Sequence, residues 1–391
     1  MKKITFCIPT KTNLRYLKTC IPSIRNNAYR KDHDIIIFVD SDEDGTVEWL
    51  KENESVYGYK YIINPQLGKS LYGIGKAYDA CIEAAETPIV MIFHADMMLG
   101  KDADLHAFKH LKPLSVVCST RIEPPLHPNA GEKIIMDFGM YPEDFKESEF
   151  HSFVEQTQKQ YENKTTEGIF APWMIYREDI LSIGGHDPIM HSCREDSDLF
   201  NRFVLNDYSL IQSWDSLVYH LTGRGAGSFD GDTKRHTKWK LDMEYSTKEF
   251  IRKWGSGVNH TPMMMPIIPH KYNVKFDIKN CNLQLLQILE PWCTNIDVDL
   301  PLRMINQYIN EEQPNTQTYL NNKINNTDSN NDIIVTFDAQ SINNESINFV
   351  VKLAEIFDAN ELEVGNYDFH PFSIEVKKVK HYEQNLINCK N

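Results

Sequence analysis

Asp40 closes the apolar run "IIIFVD", and His94, Ala95 and Asp96 close the run "IVMIFHAD". Glu195 and Asp196 stand side by side in "REDSDLFNR", and His220 ends "LVYH". A carboxylate at the end of a buried strand is costly unless something pairs with it. An Asp at one strand end and a His from a distant strand form a divalent-metal pair, with a phosphate oxygen to complete the shell. Asp96 and His220 are the candidates for that pair. The Asp96 oxygen suits Mg²⁺ or Mn²⁺, and the His220 nitrogen tilts the choice towards Mn²⁺. Glu195 and Asp196 offer a general base, which must lie near the proton it removes. Clustered acids raise one another's pKa.

These residues need elements that bring them together. "ITFCIP" and "DIIIFVD" are short, continuous apolar runs rich in β-branched residues, which predicts strands buried on both faces. Between them Leu14, Leu17, Ile21 and Ile24 have helical spacing, with Pro22 a point of bending. "GTVEWLKENE" predicts a second helix and "YKYIIN" a third strand. "GIGKAYDACIEAAE" predicts a third helix, packing through Ala77, Ala80, Ala84 and Ile82, before "PIVMIFHAD". Strand and helix alternate with short turns, the pattern of a parallel α/β sheet. Ligands of such sheets bind outside the carboxyl ends of the strands, so Asp40 and Asp96 are expected to face one crevice. Further on, "LSVVCSTRIEPP" predicts a strand and "REDSDLFNR" a helix opened by acids. "YSLIQSWDSLVYHL" predicts two short strands ending at His220.

The 391 residues are 41% hydrophobic and 25% charged, an ordinary globular composition long enough for two domains. A net charge of −14 argues against binding nucleic acid through its phosphates, which needs clustered Lys and Arg. No segment reaches transmembrane length. The apolar stretch after Lys2 and Lys3 is too short for a signal-peptide core and is read as a strand. Eight scattered cysteines form no C-x-x-C pair, which speaks against a zinc site or disulfide framework and for a reducing, cytoplasmic setting. The Asn- and Ile-rich composition points to an AT-rich viral or bacterial genome. Residues 1–265 are expected to form one domain and 266–391 a small α/β appendage, starting from the Pro-punctuated "TPMMMPIIPH". Residues 310–332 are Asn-rich, with few core formers, and are expected to be a loop or mobile segment. "ESINFVVKLAEIFDA" reads as a single helix.

The ordered motifs from about residue 3 to 225 resemble the family 2 glycosyltransferases of the GT-A fold. "ITFCIPTKTNLRYLKTCIPSI" is similar to that family's first strand and helix, "FVDSDEDGT" to its nucleotide-holding turn, and "FHAD" to its metal-binding D-x-D. "WMIYREDILSIGGHDP" resembles the segment before the acceptor site, and "REDSDLFNR" the Glu-Asp motif of the base. The resemblance implies a nucleotide-sugar-binding α/β sandwich around a mostly parallel sheet. It implies metal-dependent, inverting transfer of a sugar from a nucleotide-sugar, UDP being the family's commoner nucleotide, to a glycan, protein or small-molecule acceptor. Pro9, Thr10 and Asp40 would hold the nucleotide, Asp96 the metal, and Asp196, beside Glu195, the acceptor proton. Three positions depart from the family pattern. Val39 replaces the first Asp of the turn, which leaves the base contact to Asp40. His94 replaces the first Asp of D-x-D and would contact ribose or metal-bound water, or weaken the metal. Asp79 stands where the family often has Asn.

Structural readings stand beside these. Asp40, Asp42 and Asp44 would also serve as turn and cap residues, and Glu195 and Asp196 suit a helix start. Lys76 would approach a phosphate or simply be solvated. Trp173 and Trp214 read as core residues before sugar platforms. "GRGAGSFDG" at 223–231 reads as a lid over the donor. A dinucleotide-dependent oxidoreductase would need G-x-G-x-x-G directly after the first strand, where "PTKTN" stands. A nucleotidyltransferase would need a richer basic loop than Lys11 and Arg15 provide. A sugar- or nucleotide-binding protein that kept the fold and lost turnover, with His94 its best argument, stands beside the nucleotidyltransferase as an alternative.

Overall fold

The structure is a computed structural model that describes residues 1–128, 131–224, 233–327 and 330–380. It divides into two compact units. The first comprises Met1–Leu241 with His260–Pro266, and the second Asp242–Asn259 with the described residues from Ile267 on. The first unit runs β1 (Thr5–Lys11), α1 (Leu14–Asn27), β2 (Asp34–Ser41), α2 (Thr46–Tyr57), β3 (Lys60–Ile63), α3 (Ile74–Ala84), β4 (Ile89–Ile92), β5 (Met97–Leu99), α4 (Ala103–Phe108), β6 (Ser115–Glu123), β7 (Lys133–Ile135), α5 (Glu147–Gln160), β8 (Thr165–Glu167), β9 (Trp173–Tyr176), α6 (Arg177–Ser182), α7 (Glu195–Leu205), β10 (Ser209–His220) and α8 (Thr233–Trp254), whose later part belongs to the second unit.

The apolar runs do form the centre of a mixed sheet, ordered β3-β2-β1-β4-β9-β6-β10-β5, with β7 on β6 and β8 on β10. β3, β2, β1 and β4 are parallel neighbours. The side chains of β1, β2 and β4 are largely buried because helices cover both faces, which is why these strands read as unbroken apolar runs, while β3 at the edge is exposed or half-buried. α1 buries Leu17, Cys20, Ile21 and Ile24 and passes through Pro22. α3 packs through Gly75, Ala77, Tyr78, Cys81 and Ile82, while Ala84 is exposed. The packing face is thus rotated from the alanine stripe expected of it, because Tyr78 and Cys81 bury more apolar surface than Ala80 and Ala84 would.

β4 ends at Ile92 and the chain turns at His94–Asp96, at the end of the run as expected, before the short strand β5. One strand reading is corrected. "YSLIQSWDSLVYHL" is the single strand β10, which absorbs a register shift between Ser213 and Leu217 against β6. That irregularity is what looked like a break in the pattern.

The second unit runs β11 (Val274–Lys279), α9 (Leu283–Leu289), β12 (Asn295–Val298), α10 (Leu302–Glu312), β13 (Ile333–Asp338), α11 (Asn344–Val351), α12 (Leu353–Ala359), β14 (Gly365–Phe369) and β15 (Phe372–Val376). Its sheet is ordered β12-β11-β13-β15-β14 and has its own core around Phe276, Leu286, Ile296 and Val335. The helix expected over 345–359 is two helices that meet at Lys352. The Asn-rich stretch is not a bare loop. Leu320 and Ile324 are buried in the core, and Lys323, 4% exposed, pairs with buried Glu290. A buried ion pair is a signal that composition hides.

Candidate functional site

The turn His94–Asp96 follows the parallel strand β4, and β10 is what brings His220 to it. β10 runs antiparallel to β5 with His220 opposite Met97, and the Leu221 amide donates to the Asp96 carbonyl at 3.1 Å. His220 Nε2 then lies 3.6 Å from Asp96 Oδ1. The His94 ring meets the His220 ring edge-on at 5.4 Å between centroids. One ligand atom from each of His94, Asp96 and His220 lies within 4.8 Å of the others, a spacing that suits a divalent cation. Behind His220, Nδ1 lies 2.8 Å from Glu123 Oε1.

Electrostatics fit this donor set. Burial, reinforced by the neighbouring His220, pushes His94 down to about 4, so at neutral pH it presents a lone pair. Burial opposes ionisation of Asp96, but His220 and His94 outweigh it and hold the carboxyl below its ordinary value. Burial opposes charge on His220 too, and Asp96 and Glu123 override it to raise its pKa. A cation at this point would take over the role of that proton.

A cavity of about 320 Å³ opens in front of the cluster. Of the expected residues, Pro9, Thr10, Asp40, His94, Ala95, Asp96 and His220 line it. Thr10 is 2% exposed and its buried Oγ1 has no hydrogen-bond partner among the described residues, so a polar ligand group would satisfy it. Asp40 and Asp96, from separate strands, share this crevice. Asp40 is also a clamp. Its Oδ1 accepts from the Tyr72 amide at 2.6 Å and from Asn64 Nδ2 at 2.9 Å, which fixes the loop ahead of α3. Asp42 and Asp44 are turn residues. Asp44 accepts from the Leu14 amide at 2.7 Å, and Asp42 from the Val47 amide at 3.3 Å.

Lys76, Glu195 and Asp196 are not among the residues that line the cavity. Lys76 points its Nζ towards the Tyr72 ring, 5.9 Å from the centroid. Glu195 and Asp196 open α7 beside α3: a Cβ added to Gly75 would sit 3.4 Å from Glu195 Cβ. Burial pushes the phenol of Tyr78, which lines the cavity, well above its usual value, and the charges of Glu195 and Asp96 add to this. Burial, then the Asp196 charge, push Glu195 up to about 8. Its buried Oε2 has no hydrogen-bond partner among the described residues. Asp196 Oδ1 accepts from the Ser197 amide at 2.6 Å.

Trp173 is buried against Phe200 and Phe203, as a core residue. Trp214 is half-buried and meets Tyr161 and Lys164. Of the lid segment, Gly223 and Arg224 line the cavity and 225–231 lie outside the described residues. The sequence reading missed Glu123. Its signal was the alternation of Arg121 and Glu123 at the end of the strand β6, which places both on one face. It also missed Tyr78, His191 and Trp239, cavity residues whose types resemble ordinary core or surface positions.

Residues 5–183 match the family described as Glycosyl transferase family 2. Over this part, less than half of its length, the chain matches a family 2 glycosyltransferase domain. The matched stretch includes His94 to Asp96 and stops before Glu195 and His220. No curated protein matches the chain. Among solved structures, the mannosyltransferase PcManGT from Pyrobaculum calidifontis, in complex with GDP-Man and Mn²⁺, is 16% identical with a TM-score of 0.43, covering 64% of each chain. S. aureus TarS is 10% identical with a TM-score of 0.41, covering 64% of this chain and 43% of that one. GalNAc-T7 with UDP, GalNAc and Mn²⁺ is 12% identical with a TM-score of 0.43, covering 64% of this chain and 51% of that one. The glycosyltransferase domain thus spans less than two thirds of each of these structures. Among the described residues no helix is long and apolar enough to cross a membrane.

Proposed function

We propose that the first unit transfers a sugar from a nucleotide-sugar to an acceptor hydroxyl with inversion at the anomeric carbon. The observation that carries this reading is the His94–Asp96–His220 cluster, which faces the same cavity as Thr10 and Asp40 within a glycosyltransferase domain. Asp96, His220 and His94 would hold Mn²⁺ or Mg²⁺. Such a cation, when bound, neutralises and orients a diphosphate leaving group. Thr10 Oγ1 and the carboxylate of Asp40 are available to the nucleoside end of the donor, and Pro9 and Ala95 shape its walls. A UDP-sugar is the first donor to try, since UDP is the commoner nucleotide of the family.

Asp196 acts as general base and takes the acceptor proton as the hydroxyl attacks opposite the leaving phosphate. Glu195 keeps its proton near neutral pH, because burial and then the neighbouring Asp196 disfavour its charge, so it is not the base. A single displacement needs one base and no carboxylate nucleophile, unlike a retaining glycosidase. The acceptor is a glycan or a protein hydroxyl.

The test is nucleotide release from a panel of UDP- and GDP-sugars with Mn²⁺, with Asp96→Ala alongside. Release from one donor, lost in Asp96→Ala, is the expected result. An absence of both release and metal-dependent nucleotide binding would overturn the reading.

A further inference from the structure

We infer that Glu123 is a positioning residue of the metal site: it holds His220 by one ring nitrogen so that the other faces the cation. The inference rests on the metal reading above and adds a residue to it. An imidazole has two distinct nitrogens, and the hydrogen bond made by one decides which is free to bind a metal. His220 Nδ1 lies 2.8 Å from Glu123 Oε1, and His220 Nε2 lies on the side of Asp96 at 3.6 Å.

Strand register makes this arrangement. β10 lies between β6 and β5 in the sheet. On one side β6 pairs Ile122 with Tyr219, so the next residues along, Glu123 and His220, are neighbours. On the other side β5 pairs Met97 with His220, so Asp96 is one residue from the pair. The imidazole is thus held between a carboxylate that belongs to the sheet and one that faces the cavity.

Glu123 is 1% exposed, and a carboxylate so buried needs compensation. Arg121 Nη1 donates to its Oε1 at 2.7 Å and Lys133 Nζ to its Oε2 at 2.8 Å. Arg121 also donates to Glu132 Oε1 at 3.0 Å and lies over the Phe170 ring at 3.7 Å from the centroid. Arg121 and Lys133 balance Glu123 and Glu132, so the quartet is neutral without His220. Glu123 therefore does not need an imidazolium to be tolerated there. A role in packing alone would be met by the two cations. The third contact, at Nδ1, has its use in orienting the ring.

The experiment measures Mn²⁺ binding to the full chain by titration calorimetry, and the imidazole nitrogens coupled to bound Mn²⁺ by pulsed electron paramagnetic resonance. Glu123→Gln keeps the shape and removes the charge. It is expected to weaken Mn²⁺ binding about 10- to 100-fold and to alter the coupling from the His220 nitrogen. Because Glu123→Gln leaves Lys133 buried without its carboxylate, Glu123→Gln/Lys133→Met is measured too, with thermal unfolding to check that each variant is folded. A folded variant that binds Mn²⁺ within about threefold of wild type, with unchanged nitrogen coupling, overturns the inference; that margin is far below the loss expected when an orienting partner goes. A wild-type chain that takes up no Mn²⁺ overturns the metal reading itself, and is distinguishable because it fails before any substitution is made.

Discussion

At the scale of single residues, substitution of His94 for an acid changes the chemistry of the turn less than its charge suggests. Burial keeps the ring neutral, and a neutral imidazole is a ligand where a charged one is not. In the proposed mechanism the Glu195–Asp196 pair divides its roles through environment too, burial and then the Asp196 charge raising Glu195. Asp196→Asn is expected to lower kcat by about 10²- to 10⁴-fold, the range for a lost general base, with donor KM little changed in steady-state assays. Glu195 has its folded pKa raised from 4.5 to about 8, so the folded state holds the proton more tightly than the unfolded chain. Its contribution to stability therefore falls as pH rises from 4.5 towards 8. Glu195→Gln should gain stability relative to wild type across that window and show no gain below it, in unfolding midpoints measured against pH. Residue type was enough to single out His94, Asp96 and His220. It was not enough for Glu123, because an acid two residues from an Arg at the end of a strand also describes a solvated face.

At the scale of elements, the position of α7 decides where the acid pair points. Arg202, fully buried, donates to Asp198 Oδ2 at 2.9 Å, to the Ile183 carbonyl at 2.9 Å and to the Gly185 carbonyl at 2.6 Å. Asp79 takes the His186 amide at 3.0 Å and its ring nitrogen at 2.8 Å, which ties α3 to the same turn. Gly185 has φ of 68°, and an added Cβ would lie 2.7 Å from the Asp79 carboxylate. Arg202→Leu removes the guanidinium from the buried Asp198 carboxylate and from the two carbonyls it holds. A loss of about 3–5 kcal/mol is expected in chemical denaturation, the usual cost of breaking such a pair. The first turn of α7 should shift with it, so activity should fall further than in a surface variant of equal stability. The Gly-Gly turn and the acid-opened helix were legible as local signals. The attachment of that turn to Asp79 through His186, more than a hundred residues away, was not.

At the scale of the whole molecule, the second unit has a buried charge network of its own. Arg252 binds Glu290 and Glu312, and Lys323 binds Glu290 at 2.7 Å. Burial opposes ionisation of Glu290, but Lys323 and Arg252 bring it from 4.5 to about 2. That stability is present above pH 4.5 and is lost as pH falls towards 2. Acid titration followed by circular dichroism should show this loss, and Glu290→Gln should flatten it. The network is also why an Asn-rich stretch is packed. Lys323 is tied to Glu290 by charge rather than apolar periodicity, so hydrophobic patterning could not reveal it.

The sequence by itself determined the type of most segments in the first unit, though not that β10 is one strand. Continuous apolar runs made buried strands, helical spacing made α1, and a few polar residues at strand ends marked a crevice, because side-chain periodicity is a local property. Only the tertiary structure decided which strands meet. β10 lies between β6 and β5, and this puts His220 between Glu123 and Asp96. Backbone ladders between strands about a hundred residues apart use the same N–H and C=O groups at every residue, so their partners and register leave little trace in side-chain type.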